Sequence, residues 1–161
     1  MRNTTLCHIE KDGKYLMLHR VKKKNDLNQN KWVGIGGKFE DKESPEQCNV
    51  REVFEETGLT LKDAAYRGIV TFVSDKWETE YMHIFVAKNF SGEIKECDEG
   101  ILKWIDKNEL LTLPLWVGDK IFLKLINDEN QPFFSLRLEY VGEELISAIL
   151  DGKELNLDVI I

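Results

Sequence analysis

The stretch Gly37-Lys38-Phe39-Glu40-Asp41-Lys42-Glu43-Ser44-Pro45-Glu46-Gln47-Cys48-Asn49-Val50-Arg51-Glu52-Val53-Phe54-Glu55-Glu56-Thr57-Gly58-Leu59 carries its own punctuation. Ser44 is a good N-cap, Pro45 falls at the first helical position, Gln47 completes a capping box, and Gly58 is placed to end the helix. The spacing therefore predicts a helix from Pro45 to Gly58, with Val50, Val53, Phe54 and Thr57 on its apolar side. On such a helix Glu52, Glu55 and Glu56 stand at i, i+3 and i+4 and share one face. Three crowded carboxylates repel one another and destabilise the helix unless cations neutralise them. Arg51 offers one charge, to Glu55 or Glu43; the remaining excess suits a hard divalent ion such as Mg²⁺, which binds a few carboxylates, water and substrate phosphates. Gly36 and Gly37, just ahead, let a backbone carbonyl join the group. A Glu-rich helix face is usually only solvated surface. What argues for a site is that cap, glycines, arginine and carboxylates all fall in one short stretch.

Outward from this segment, 4–9 and 15–20 read as strands, joined by Asp12-Gly13 as a hairpin turn. Residues 20–31 form a polar loop with Arg20, Lys22, Lys23, Lys24 and Lys31 against Asp26. Downstream, 69–74 and 81–87 are rich in β-branched and aromatic residues and read as strands, and 102–105 as a shorter one. A helical turn is expected at 109–111. A second helix is expected over 116–126, where Ile121 and Leu125, and Phe122 and Ile126, recur at four-residue spacing. Residues 133–140 alternate as a strand does, and 145–150 fits either strand or helix. Strands and helices mixed in this way point to an α/β or α+β layered fold.

A chain of 161 residues suits a single domain, expected here over 1–161, with 141–161 an extension whose structure the sequence leaves undecided. Hydrophobic residues at 42% and charged residues at 32% exclude wholesale disorder. With 22 Lys and Arg against 29 Asp and Glu, the net charge of −7 argues against a uniformly basic nucleic-acid binder; phosphate binding then needs local cations. Cys7, Cys48 and Cys97 are odd in number and form no CxxC pair, so neither a disulfide framework nor a cysteine zinc site is expected. Cys48 reads as a small buried residue, and His8, His19 and His83 as packing or hydrogen-bonding groups. No secretory signal or membrane span is evident, and the expected location is the cytoplasm.

The segment resembles the Nudix box, Gly-x5-Glu-x7-Arg-Glu-U-x-Glu-Glu-x-Gly-U with U aliphatic. Its defined positions are met by Gly37, Glu43, Arg51, Glu52, Val53, Glu55, Glu56, Gly58 and Leu59. The flanks 31–38 and 113–119 are similar to MutT-type oxidised purine nucleoside triphosphate diphosphatases, and the likeness covers most of 4–140. The resemblance implies an α/β/α sandwich whose mixed central β-sheet lies between the box helix and the Trp116 helix. It implies Mg²⁺-dependent hydrolysis of an (oxidised) purine nucleoside triphosphate, 8-oxo-dGTP foremost, to monophosphate and pyrophosphate, with Mn²⁺ as substitute. Such an enzyme cleanses the nucleotide pool and need not bind DNA, RNA or membrane; the chain would be a monomer or homodimer.

By similarity, Glu52, Glu55 and Glu56 are metal ligands or the base acting on water, with Glu56 the indispensable one. Gly36 adds its carbonyl. Glu99, chosen over Asp98 and Glu96, joins from outside the box; an exposed loop acid is the alternative. Arg51 orients the glutamates and Glu43 is structural. Gly37 and Lys38 lie near the phosphates, and Lys23 reaches the triphosphate tail unless the loop is simply a solvated lysine run. Trp116 and Asp119 resemble the family's base-contacting tryptophan and acid, although Trp116 also reads as a core anchor; Thr5 and Phe72 line the same pocket. Two positions depart from the mammalian pattern: Val33 replaces a base-contacting asparagine, and Gly118 the first of two adjacent aspartates. Other Nudix substrates stay open (ordinary dNTPs, nucleotide sugars, ADP-ribose, dinucleoside polyphosphates), although 72–76 lacks the proline typical of the ADP-ribose branch. A non-catalytic nucleotide sensor is the third reading, and retention of all three glutamates speaks against it.

Overall fold

A computed structural model describes residues 1–22 and 26–160. In chain order the elements are β1 (Arg2–Lys11), β2 (Lys14–His19), β3 (Trp32–Val33), α1 (Pro45–Thr57), β4 (Thr60–Ser74), β5 (Glu80–Ser91), β6 (Ile101–Asp106), α2 (Lys107–Leu110), α3 (Asp119–Asn127), β7 (Phe134–Val141), β8 (Glu144–Leu150), β9 (Lys153–Glu154) and α4 (Leu157–Ile160). The strands form one sheet in the order β3-β2-β1-β5-β4-β7-β8-β9, with β6 also paired to β2. It is mixed: β1 with β5 and β4 with β7 are parallel, and the other pairs are antiparallel. Asp12 and Gly13 turn β1 into β2 with φ of 52° and 73°, the left-handed conformation that a two-residue hairpin of this type needs.

Each sheet face carries its own core. On one, α3 packs Ile121, Phe122 and Ile126 against Tyr15, Val70, Leu136 and Leu138. On the other, Val53 of α1 packs against Cys7, Leu18, Leu59 and Phe85. Helix, sheet and helix thus stack as an α/β/α sandwich around two burial layers. All three cysteines are free and buried. Among the described residues no helix is long and apolar enough to cross a membrane.

The caps of α1 fall where its sequence puts them. The Ser44 hydroxyl accepts from the Gln47 amide at 3.1 Å, and the Gln47 side chain accepts from the Ser44 amide at 2.9 Å. Gly58 ends the helix at φ 81°, a conformation that strains a residue with a side chain. The buried face differs from the expected one. Cys48, Asn49, Val53 and Thr57 point inward, whereas Val50 and Phe54 are about half exposed. Glu52 and Glu56 must face the sheet's end, and the helical stripe beside them is 49, 53 and 57, not 50 and 54.

Two further boundaries move, and one open stretch is decided. β4 starts at Thr60, well before the strand expected at 69–74, because bulges between Leu61 and Asp63, Asp63 and Ala65, and Tyr66 and Gly68 break its alternation. α3 starts at Asp119 instead of 116. The preceding turns run from the Trp116 carbonyl to the Asp119 amide (3.0 Å) and from Val117 to Lys120 (3.2 Å), and the Gly118 amide donates to the Tyr140 hydroxyl at 2.8 Å. Residues 145–150 are strand: β8 folds back on β7 and extends the sheet.

Candidate active site

The site opens where 34–38 runs beside β1. The Cys7 amide donates to the Ile35 carbonyl at 2.6 Å and the Thr5 amide to Gly37 at 2.9 Å. This close approach requires glycine at 36, where a Cβ would stand 1.7 Å from the Thr5 carbonyl oxygen; a Cβ on Gly37 would stand 2.4 Å from the carboxyl carbon of Glu52, which would have to shift. The result is a cleft of about 540 Å³.

One arm of the cleft is acidic. Glu52, Glu56 and Glu99 line it together with Gly36, Gly37 and Lys38. The Gly36 amide donates to Glu56 Oε2 at 3.2 Å. Burial pushes the Glu56 carboxyl well above the ordinary carboxylate range, and the adjoining Glu99 and Glu52 carboxyls push it further. Burial also raises Glu52, against the pull of Arg51. Arg51 Nε and Nη2 hold Glu43 at 2.6 and 2.9 Å, while Nη1 donates to Glu52 at 2.7 Å and Glu55 at 3.1 Å. This bidentate grip holds Glu43 down to about 2.

Glu55 is not brought into the cleft with Glu52 and Glu56. Successive helical residues are separated by about 100°, so Glu55 and Glu56 fall on opposite flanks of Glu52. Glu55 stands on the Arg51 flank with its side chain 55% exposed. Glu99 is the outside acid that reaches the cleft. Arg20 Nη1 donates to it at 2.7 Å, and Arg20 Nε donates to Asp26 at 2.6 Å. Lys23 lies outside the described residues.

These residues fit a divalent cation. A carboxyl driven towards its neutral form by burial, and further by two neighbouring acids, is one that a cation would relieve. No three His, Cys, Asp or Glu side chains among the described residues converge into a ready-made cage.

The other arm is aromatic. Phe72 and Trp116 meet edge to face at 5.4 Å, Trp116 and Tyr140 at 4.9 Å. The Trp116 indole N–H donates to Asn28 at 2.8 Å. Trp116 is at once core anchor and pocket wall, being 7% exposed and lining the cleft. Asp119 lies beside it, and burial raises its carboxyl to about 8 although the Lys31 ammonium pulls the other way. Thr5 lines the cleft with its hydroxyl turned 3.5 Å from Cys48 on the α1 side. Strand alternation gives the aromatic arm Leu6 instead, and Met82 from β5, whose register partner is Thr4. Val33 also lines the cleft. A Cβ on Gly118 would come 2.5 Å from Leu138 and 2.6 Å from the Tyr140 oxygen, so no side chain fits there.

Sequence reasoning passed over Asn28, Leu6 and Met82 as site residues, and named Arg20 and Lys31 only as part of the basic loop. Alternation along β1 distinguishes Leu6 from Thr5. Only the fold brings Asn28 under Trp116. Of the histidines, His8 packs edge to face on Tyr15 and Phe122, His19 stacks on Trp32 at 4.4 Å, and His83 bonds Asn3 and Tyr66.

Sandwich, glycine-walled cleft and glutamate helix together define an α/β/α-sandwich protein with a carboxylate cluster in its main cleft. The family model for the NUDIX domain matches residues 1–126, and the chain belongs to that family, hydrolases acting on pyrophosphate bonds that generally use divalent metals. It is 31% identical to the uncharacterized Nudix hydrolase YvcI of Bacillus subtilis, over 97% of this chain and 98% of that one. It is 35% identical to an oxidized purine nucleoside triphosphate hydrolase of Danio rerio, over 88% of each. The crystal structure of a MutT protein from Bacillus halodurans matches 94% of this chain and 98% of its own, with TM-score 0.82 and 30% identity.

Proposed function

We propose that this protein hydrolyses purine nucleoside triphosphates, oxidised ones such as 8-oxo-dGTP foremost, to the nucleoside monophosphate and pyrophosphate. The observation that carries this reading is a single cleft joining the carboxylates of Glu52, Glu56 and Glu99 to the aromatic slot at Phe72 and Trp116. One arm suits a metal-bound triphosphate and the other a planar base. A MutT structure and an oxidized purine nucleotide hydrolase among its relatives support the same reading.

Glu52, Glu56, Glu99 and the Gly36 carbonyl would hold Mg²⁺, with Mn²⁺ as substitute. Bound there, the ion would neutralise phosphate oxygens and acidify water. Ionised by the neighbouring cation, Glu56, fixed by the Gly36 amide, would be the group that accepts a proton from attacking water. Glu55 would have to leave Arg51 to take part. Arg51 and Glu43 act as positioning residues that aim Glu52. Gly37 and Lys38 flank the phosphates, and Lys23 extends towards the triphosphate tail. Trp116 and Phe72 enclose the base, Asp119 meets its edge, and Thr5 forms part of the cleft wall. The proposal treats 1–161 as one domain acting on free nucleotides in the cytoplasm as a monomer or homodimer, without contacting DNA or RNA.

Val33 and Gly118 favour a second reading, a broader triphosphate hydrolase. Val33 offers no hydrogen bond, and the packing at Gly118 excludes a second acid, so Asp119 reads the base edge without either. Measuring kcat/KM with Mg²⁺ for 8-oxo-dGTP, dGTP, dATP and ADP-ribose, with products separated, decides between them. A large preference for 8-oxo-dGTP supports the sanitising enzyme. Comparable rates across the triphosphates support the broader one, and a preference for ADP-ribose rejects both.

A further inference from the structure

Beyond the NUDIX match, which ends at residue 126, the β7–β8 hairpin turns beside the segment that carries Lys31. Its turn is anchored from two sides. The Gly142 amide donates to Asp75 Oδ1 at 3.0 Å, and Glu143 accepts from the Lys31 ammonium. That ammonium sits 4.8 Å from the centre of the Trp116 ring. Lys31 is only 15% exposed along its side chain, whereas Glu143 is 75% exposed. One lysine therefore faces three groups: the indole of Trp116, the carboxylate of Glu143, and the buried carboxyl of Asp119.

We propose that Glu143 is a specificity-determining residue that holds Lys31 on the face of Trp116 and off Asp119, so that the base meets a carboxyl unpaired with Lys31. The argument is electrostatic. Asp119 lies in a poorly solvated pocket, where the groups acting on it or facing it are Lys31, from the segment before β3, and Tyr140, from β7. Burial favours its protonated form, which both donates and accepts hydrogen bonds. A carboxylate paired with Lys31 only accepts. With the Hoogsteen edge against Asp119, guanine presents the O6 and N7 acceptors, whereas adenine presents the N6 donor beside N7. Losing the proton on Asp119 therefore penalises guanine more. Glu143 competes for the same ammonium, and the indole face adds a second attraction that keeps it away from Asp119.

This inference rests on the aromatic arm being the base pocket, and the test separates the two. Binding of dGMP and dAMP is measured calorimetrically in the absence of metal, for the parent protein, Glu143→Gln, Lys31→Met/Glu143→Gln and Asp119→Asn. Glu143→Gln is expected to weaken dGMP about tenfold, the loss of roughly one hydrogen bond, and dAMP much less. Removing the lysine as well is expected to restore the parental ratio, which a merely structural role for the hairpin would not do. Equal affinities in the parent and Glu143→Gln overturn the proposal, as does a double variant no better than the single one. Asp119→Asn separates the readings. If it leaves both affinities unchanged, the base-pocket reading fails and the proposal with it. If it shifts them while Glu143→Gln does not, the pocket stands and Glu143 alone is rejected.

Discussion

Glu56 and Glu55 are chain neighbours with opposite environments. Glu56 is deep in the cleft, held by the Gly36 amide and driven towards neutrality by burial and by Glu99. Glu55 is half exposed beside Arg51. Their one-residue offset on α1 produces the contrast. Under the proposed function, Glu56→Gln lowers kcat by about 10²–10⁴-fold, the usual contribution of a general base. Its thermal midpoint stays near the parent's, because a carboxamide resembles the neutral carboxyl already favoured there. A folded variant at parental rate would remove Glu56 from the role of base. Glu55→Gln is expected to cost at least tenfold less than Glu56→Gln, a gap of about 1.4 kcal/mol in transition-state stabilisation. Equal losses in a side-by-side kcat comparison would bring Glu55 into the cleft of the working enzyme.

At the scale of elements, the glutamates depend on how α1 is started and what it packs against. The Ser44–Gln47 box fixes its first turn. Ser44→Ala should therefore cost about 1 kcal/mol in denaturant unfolding, and an unchanged midpoint would mean that packing alone sets the helix start. Gly37→Ala acts differently. Its Cβ would meet the Glu52 carboxyl, the far end of a side chain that can move. The expected outcome is weaker Mn²⁺ binding by titration calorimetry with little change in melting; parental affinity would show that Glu52 accommodates the methyl group without leaving its place. Such local features were legible in sequence because each is decided within a few residues: the caps of α1, the Asp12-Gly13 turn and the spacing of Glu52 and Glu56. The early start of β4 was not, since its bulges disrupt the alternation that marks a strand. Nor was the exposure of Val50 and Phe54, which depends on the angle at which α1 meets the sheet. Lys31 is separated from Glu143 by most of the chain, and no local pattern announces that pair.

For the molecule as a whole, the α3 face of the sheet buries titratable groups whose shifts oppose one another. His8 is packed between Tyr15 and Phe122, its Nδ1 without a partner among the described residues, and burial lowers it to about 4 from an ordinary 6.5. The unfolded chain then binds the extra proton between those values, so this contribution to stability is lost as pH falls from 6.5 towards 4. Asp119 has the opposite sign. Its folded carboxyl keeps a proton up to about 8, whereas the unfolded one releases it near 3.8. Here the folded state binds more protons, so stability falls as pH rises through that window. The two effects counteract each other between about pH 4 and 6.5. Above that range Asp119 acts without His8, while Glu56 adds a decline of the same sign. Comparison with Asp119→Asn isolates the aspartate, because every other group titrates alike in both proteins. Between pH 6.5 and 8, in urea unfolding without divalent ions, the parent should lose about 2 kcal/mol more than Asp119→Asn. Parallel pH dependences would mean that Asp119 is already ionised in the folded protein, and the base edge would then face a carboxylate that can only accept.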